Sequence, residues 1–306
     1  MTDRPPTRRV LLWGARLAVP ALLGLWLWKW ADRDALLKAL EALPVSALGV
    51  AVLLGFVNVG IGAFRWGLLM RAFDALQLPS RAELFRATLV CQFYNTFVPG
   101  SVAGDLVRAL LMRPAFPQAR TGLVLVVAER LLGLFALVLI ACLGLLLGPS
   151  LFGDEVQTTV LAVALCGTLA VVALLAVRAS GRLAALRAQI PAVPNLGPAV
   201  LAFGISFVGH LVNVALYGQL AAAMNLPLGP TDILLVVPLA LLASVVPLSL
   251  AGVGAREVAL VALVVQLGVS QEQGTVLSLG FSAVIVVLGL CGGLVQWVYP
   301  SLLRYH

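Results

Sequence analysis

Residues 98–108 read VPGSVAGDLVR, and residues 246–256 read VPLSLAGVGAR. Val, Pro, Ser, Ala, Gly and Arg coincide at six of eleven positions, at a constant offset of 148 residues. Matches of Val, Ala and Gly come cheaply in an apolar chain. A shared Pro-x-Ser followed by Arg, nine residues after each Pro, does not. Each stretch interrupts a longer apolar run, 83–112 in the first case and 232–268 in the second. Proline removes a backbone donor and glycine loosens a helix. At membrane depth such a break persists only where protein or a wet cavity satisfies the freed backbone groups. Both runs therefore read as broken, re-entrant hairpins, with tips at Pro99, Gly100 and Gly104 and at Pro247, Gly252 and Gly254.

The rest of the chain places these hairpins in a bilayer. Of its 306 residues, 61% are hydrophobic and 11% charged, and the mean hydropathy is +1.06. A soluble domain carries about 25% charged residues. Apolar runs long enough to cross ~30 Å of hydrocarbon lie at 10–30, 45–70, 122–147, 157–177, 199–224 and 275–299. This excludes a soluble enzyme, a disordered chain and a nucleic-acid binder. The expected fold is an all-α polytopic membrane protein, one membrane domain over 1–306, with about six full spans plus two hairpins. Eight full spans is the alternative. Cys91, Cys142, Cys166 and Cys291 all lie in apolar segments without CxxC spacing, so buried thiols are expected rather than disulfides or a metal site.

Cations set the orientation. Arg4, Arg8, Arg9 and Arg16 put the N-terminus in the cytoplasm. Arg71, Arg81 and Arg86 precede the tip of the first hairpin and Arg108, Arg113 and Arg120 follow it, so the hairpin leaves by the face it entered. Gly148–Val156 and Asn225–Asp232 carry no cation and read as external, whereas Arg178, Arg182, Arg187 and Arg304 read as internal. The second hairpin then enters from outside, and both termini are cytoplasmic. Lys29, Arg33 and Lys38 run against this scheme, accompanied by Asp32, Asp34 and Glu41. Residues 10–147 and 157–299 each contain two spans, a hairpin and one span. Three crossings per half make the halves inverted repeats, and discontinuous segments at corresponding positions are a transporter signature that points to the central site.

An ionisable residue within a span costs at least ~2.5–3.5 kcal/mol, so each is a functional candidate. These are Arg65, Asp105, Arg108, Glu129, Arg130, Arg256 and Glu257. Asp105 and Arg108 share a helical face, and Glu129–Arg130 reads equally well as a buried salt bridge that fixes helix register. Arg108 and Arg256 occupy matching positions in the two repeats, as do Arg65 and Asn213. Asn95, Ser101 and Ser249 lie beside the breaks. His210, Asn213 and Tyr217 form a stripe, in which the histidine reads first as a packing residue. The arginine fork suits phosphate, and half-helices beginning at Gly104 and Gly254 would aim N–H groups at the same anion. The expectation is that Arg65, Arg108 and Arg256 converge on one phosphate-bearing headgroup.

Enzyme motifs are missing. Only His210 and His306 exist, so there is no HExxH; Gly280-Phe281-Ser282-Ala283 misses the rhomboid pattern at its last position, and no P-loop is present. A transferase using Glu129 or Asp105 as base is a minor alternative. No cofactor or metal is expected.

Phe64-Arg65-Trp66, Asn95 through Pro99 to Gly104-Asp105 and Arg108, Glu129-Arg130, and Pro247-x-Ser249-x-x-Gly252-x-Gly254-x-Arg256-Glu257 together resemble the flippase-like membrane domain of bacterial lysylphosphatidylglycerol synthases. The family pattern carries Gly-Gly-Asp after the proline, where this chain has Ala103. The resemblance implies movement of lipids between leaflets, with no lipid synthesis by this chain, and a companion lipid-synthesising enzyme as a possible partner. A small-solute or ion transporter of the same repeat architecture is the alternative.

Overall fold

The computed structural model describes residues 33–98, 103–116, 119–149, 195–244 and 254–299. In chain order the helices are α1 (Arg33–Glu41), α2 (Val45–Ala72), α3 (Arg81–Phe97), α4 (Ala103–Leu111), α5 (Ala119–Leu147), α6 (Leu196–Ala223), α7 (Pro230–Ala243), α8 (Ala255–Gln266) and α9 (Gln271–Val298), with a 3-10 turn at Arg113–Ala115. Helices α2, α5, α6 and α9 correspond to the expected spans at 45–70, 122–147, 199–224 and 275–299. The remaining expected spans, 10–30 and 157–177, lie outside the described residues.

Each of the four long helices contains an apolar window of mean hydropathy 2.0 to 2.6, and all four are long enough to cross a membrane. At 1.5 Å per residue a 28-residue helix measures about 42 Å, more than the ~30 Å hydrocarbon layer. Their outward faces are bare leucine and valine: Leu53, Leu131, Val200 and Leu294 are each at least 60% exposed. So large an apolar surface is compatible with lipid and not with water.

The run 83–112 is divided, as its Pro and Gly residues require. Ser80 and Glu83 cap the start of α3 reciprocally, Ser80 Oγ accepting from the Glu83 amide at 3.2 Å and Glu83 Oε2 from the Ser80 amide at 2.7 Å. Helix α4 then folds back along α3. The Gly104 amide donates to Asn95 Oδ1 at 2.8 Å, and a side chain at Gly104 would strike the Cys91 carbonyl. The run 232–268 is divided in the same way into α7 and α8. Gly254 opens α8 at φ 126°, a conformation that glycine adopts without strain.

The core is built by crossed packing. The half-helix α3 lies on α9, α7 lies on α5, and α2 lies along α6. Gly292 of α9 sits against the Leu89 carbonyl of α3. Gly144 of α5 sits against α7, where an added Cβ would fall 2.6 Å from the Leu234 carbonyl. These two glycines are 148 residues apart. In a membrane, helices associate through such close backbone approach at small residues. Helices α2 and α6 also end alike, each in a left-handed residue: Asp74 at φ 50° and Asn225 at φ 53°.

Candidate functional site

Helices α2 and α6 face each other with polar residues seven apart, two turns along one face. Asn58 Nδ2 donates to Asn213 Oδ1 at 2.9 Å, and Arg65 Nη1 donates to Ser206 Oγ at 3.2 Å. Further out, Gln219 donates to the Ala47 carbonyl at 3.0 Å and Asn195 to the Arg71 carbonyl at 3.3 Å. Rising residue numbers on α2 meet falling numbers on α6, so the two helices run antiparallel. Asn58 and Ser206, Arg65 and Asn213, Ala47 and Asn195, and Arg71 and Gln219 are each pairs at the offset of 148.

Between these helices and α3, α4, α5 and α9 lies a cavity of about 360 Å³. Its polar lining includes Asn58, Arg65, Gln92, Asn95, Asp105, Arg108, Glu129, Ser206, His210 and Asn213, and Phe281 and Leu288 form part of its apolar wall. Volumes of 300–1,000 Å³ are usual for ligand sites.

The charges on its wall form one network. Glu129 of α5 bridges two arginines from two other elements. Its Oε1 accepts from Arg65 Nη2 at 2.8 Å, and its Oε2 accepts from Arg108 Nη2. Arg108 also approaches Asp105 at 3.4 Å, and Asp105 takes Arg130 through its Nε at 2.7 Å. Three guanidinium groups thus face two carboxylates, a net charge of +1. Asp105, Arg108 and Glu129 are at most 7% exposed. Arg108 is stacked on the Trp66 ring, 4.0 Å from its centroid, a contact worth about 2 kcal/mol once desolvated. The Nε atoms of Arg65 and Arg108 are buried without a hydrogen-bond partner. His210 holds the Gly133 carbonyl through Nε2 at 2.9 Å.

Several expected site residues meet here: Arg65, Asn95, Asp105, Arg108, Glu129 and Asn213. Arg130 reaches Asp105 with a side chain half exposed. The expected convergence of Arg256 is corrected. Arg256 pairs with Glu257 and Ser282, the latter at 2.8 Å, and lies over the Phe281 ring at 4.6 Å. It is not among the residues that line the cavity, because the bulky Phe281 stands in that wall. The half-helix amides are also engaged, that of Gly104 by Asn95 and that of Gly254 by Glu257 Oε2 at 2.5 Å. Pro99, Gly100, Ser101, Pro247, Ser249 and Gly252 lie outside the described residues. Among the described residues, no three His, Cys, Asp or Glu side chains gather as a metal site.

Sequence reasoning missed Asn58 and Ser206, and gave Trp66 no place in the site although it stands in the Phe64-Arg65-Trp66 motif. The first two were available from the 148-residue offset, since Asn58 and Ser206 are counterparts just as Arg65 and Asn213 are. Trp66 carries no such signal.

A family model described as the lysylphosphatidylglycerol synthase TM region matches residues 12–293. No curated protein matches the chain.

Proposed function

The chain belongs to the family of lysylphosphatidylglycerol synthase transmembrane regions, and from that premise we propose that it moves a phosphate-bearing lipid, or lipid-linked headgroup, between the leaflets of a bacterial inner membrane. The observation that carries this reading is the cavity in which Arg65 and Arg108 are held side by side by one carboxylate, within a charge network that Arg130 brings to a net +1. Planar guanidinium forks match phosphate oxygens, and the surrounding helices are apolar enough to keep acyl chains in lipid while the headgroup crosses inside.

The crossed pairs between α2 and α6 support a further element of the reading, that 10–147 and 157–299 are inverted repeats. A two-fold relation makes residue i of one half meet residue j of the other and the reverse. The pairs 58–213 and 65–206 fit that rule at the offset of 148. Rocking of one half against the other would expose the cavity to each leaflet in turn. Both termini are cytoplasmic in this scheme, the chain carries rather than modifies its lipid, and a separate enzyme supplies the cargo.

The test is translocation of a fluorescent phosphatidylglycerol in reconstituted vesicles. Arg65→Ala and Arg108→Ala each lower the rate by tenfold or more while the protein elutes as a folded species. Unchanged rates in both variants would overturn the reading. Transport of glycerol phosphate without lipid movement would assign the small-solute alternative.

A further inference from the structure

Glu129 already occupies the position an anion would take. Its two carboxylate oxygens are divided between Arg65 on α2 and Arg108 on α4, which is how a phosphate would bridge the same pair. A second anion added beside it would face a carboxylate at contact distance in a site where Glu129 is 4% exposed. Like charges so placed are strongly disfavoured.

We propose that a phosphodiester headgroup enters by displacing the Glu129 carboxylate, and that Glu129 takes up one proton as it does so. This rests on the headgroup reading above. The balance is simple: two guanidinium–carboxylate contacts break and two guanidinium–phosphate contacts form. One proton from the aqueous phase joins a Glu129 oxygen, and the neutral acid becomes a donor to the phosphate. The phosphodiester replaces the lost negative charge, so the network keeps its net charge of +1. Lipid anion and proton travel together, and the step moves no net charge.

The groups around Glu129 permit this assignment. Arg65 faces it from α2, Asp105 and Arg108 from α4, Cys91 from α3 and His210 from α6, with Arg130 next to it on α5. The arginines stay charged at any working pH. Asp105 keeps its own partner in Arg130. His210 is turned to the Gly133 carbonyl by Nε2.

The experiment is calorimetric titration of the purified chain with dihexanoyl phosphatidylglycerol, and separately with glycerol phosphate, in buffers of different ionisation enthalpy. Wild-type protein takes up about one proton per phosphatidylglycerol, and its Kd tightens about tenfold per unit of pH lowered between 8 and 6. Glu129→Gln takes up none and shows a flat pH profile. Binding by wild type without proton uptake overturns the proposal and leaves the headgroup reading standing. The same follows if Glu129→Gln keeps the wild-type slope, which would point to His210. Should Glu129→Gln fail to fold, His210→Gln decides: a variant that keeps the wild-type proton uptake supports the Glu129 assignment, and one that loses it overturns the proposal. Proton-linked binding of glycerol phosphate that Glu129→Gln abolishes, with no binding of phosphatidylglycerol, keeps the Glu129 exchange and overturns the lipid reading. The variant is needed in that arm because a phosphate monoester takes up protons of its own in this range. Binding in neither arm overturns both.

Discussion

The carboxamide of Asn58 donates to that of Asn213 over 2.9 Å, joining α2 to α6 across the cavity wall. The neighbouring bond, Arg65 to Ser206, joins the counterparts of the same two positions in reverse order. The interface is therefore two-fold in geometry and unequal in chemistry, with a guanidinium on one side and a carboxamide on the other.

A double-mutant cycle on Asn58→Ala and Asn213→Ala measures that bond. In a bilayer-like environment a polar pair between helices couples by about 0.6 kcal/mol. We expect each single variant to lower stability and the double variant to cost less than their sum by about that amount. Denaturant unfolding in mixed micelles reads it. Full additivity would mean the bond is not formed in the folded protein.

Replacement of Glu129 by Ala strands the buried Arg108 guanidinium beside the part-buried one of Arg65. Removing one partner of a buried ion pair costs about 3–5 kcal/mol, whereas replacing all members by apolar residues is often neutral. Glu129→Ala therefore unfolds at markedly lower denaturant than wild type. The triple variant Arg65→Met, Arg108→Met, Glu129→Leu recovers most of the loss in stability while losing headgroup binding. A triple variant as unstable as Glu129→Ala would assign the defect to packing rather than charge.

Much of this site is legible in the sequence because charge inside a span has few explanations. Asp105 and Arg108 announced their pairing by spacing, whereas Arg65 read as a phosphate ligand and only the fold shows that Glu129 of α5 pairs with it. The broken runs at 83–112 and 232–268 were legible from Pro and Gly alone. Arg256 was misplaced because a matching position in a repeat fixes depth and face on a helix, not which neighbour stands in front. Phe281 decides that, and Phe281 has Gly133 as its counterpart. Positions 148 residues apart share a frame here and diverge in the side chains that fill it.

The crossed glycines make a sharp contrast with the others. Gly144→Val and Gly292→Val push a branched side chain into backbone of α7 and α3. Overpacking costs about 1–3 kcal/mol or more, and no rotamer relieves a clash that begins at Cβ. Gly49 and Gly204 have nothing within 4 Å of an added Cβ, so alanine there gains roughly 0.5–1 kcal/mol of helix propensity. Thermal unfolding in detergent separates the two classes. A tolerated Gly292→Val would mean that α3 does not lie on α9 at the observed distance.

Arg256 and Phe281 test whether the second charged pair belongs to the cavity or to the frame. The Phe281 ring is stacked with Tyr217, centroids 4.5 Å apart, and Arg256 lies over it at 4.6 Å. Arg256→Ala leaves the Glu257 carboxylate with Ser282 and the Gly254 amide but without its cation. Its effect is thus a loss of stability, on the order of 3 kcal/mol. Phe281→Leu removes the ring contacts yet keeps an apolar wall, and costs about 1–3 kcal/mol through lost stacking and cation–π attraction. Both are read by unfolding, alongside the Kd for dihexanoyl phosphatidylglycerol. A folded Arg256→Ala variant with wild-type stability and tenfold weaker binding would move Arg256 into the headgroup site, and Phe281 would then be a side chain that swings aside.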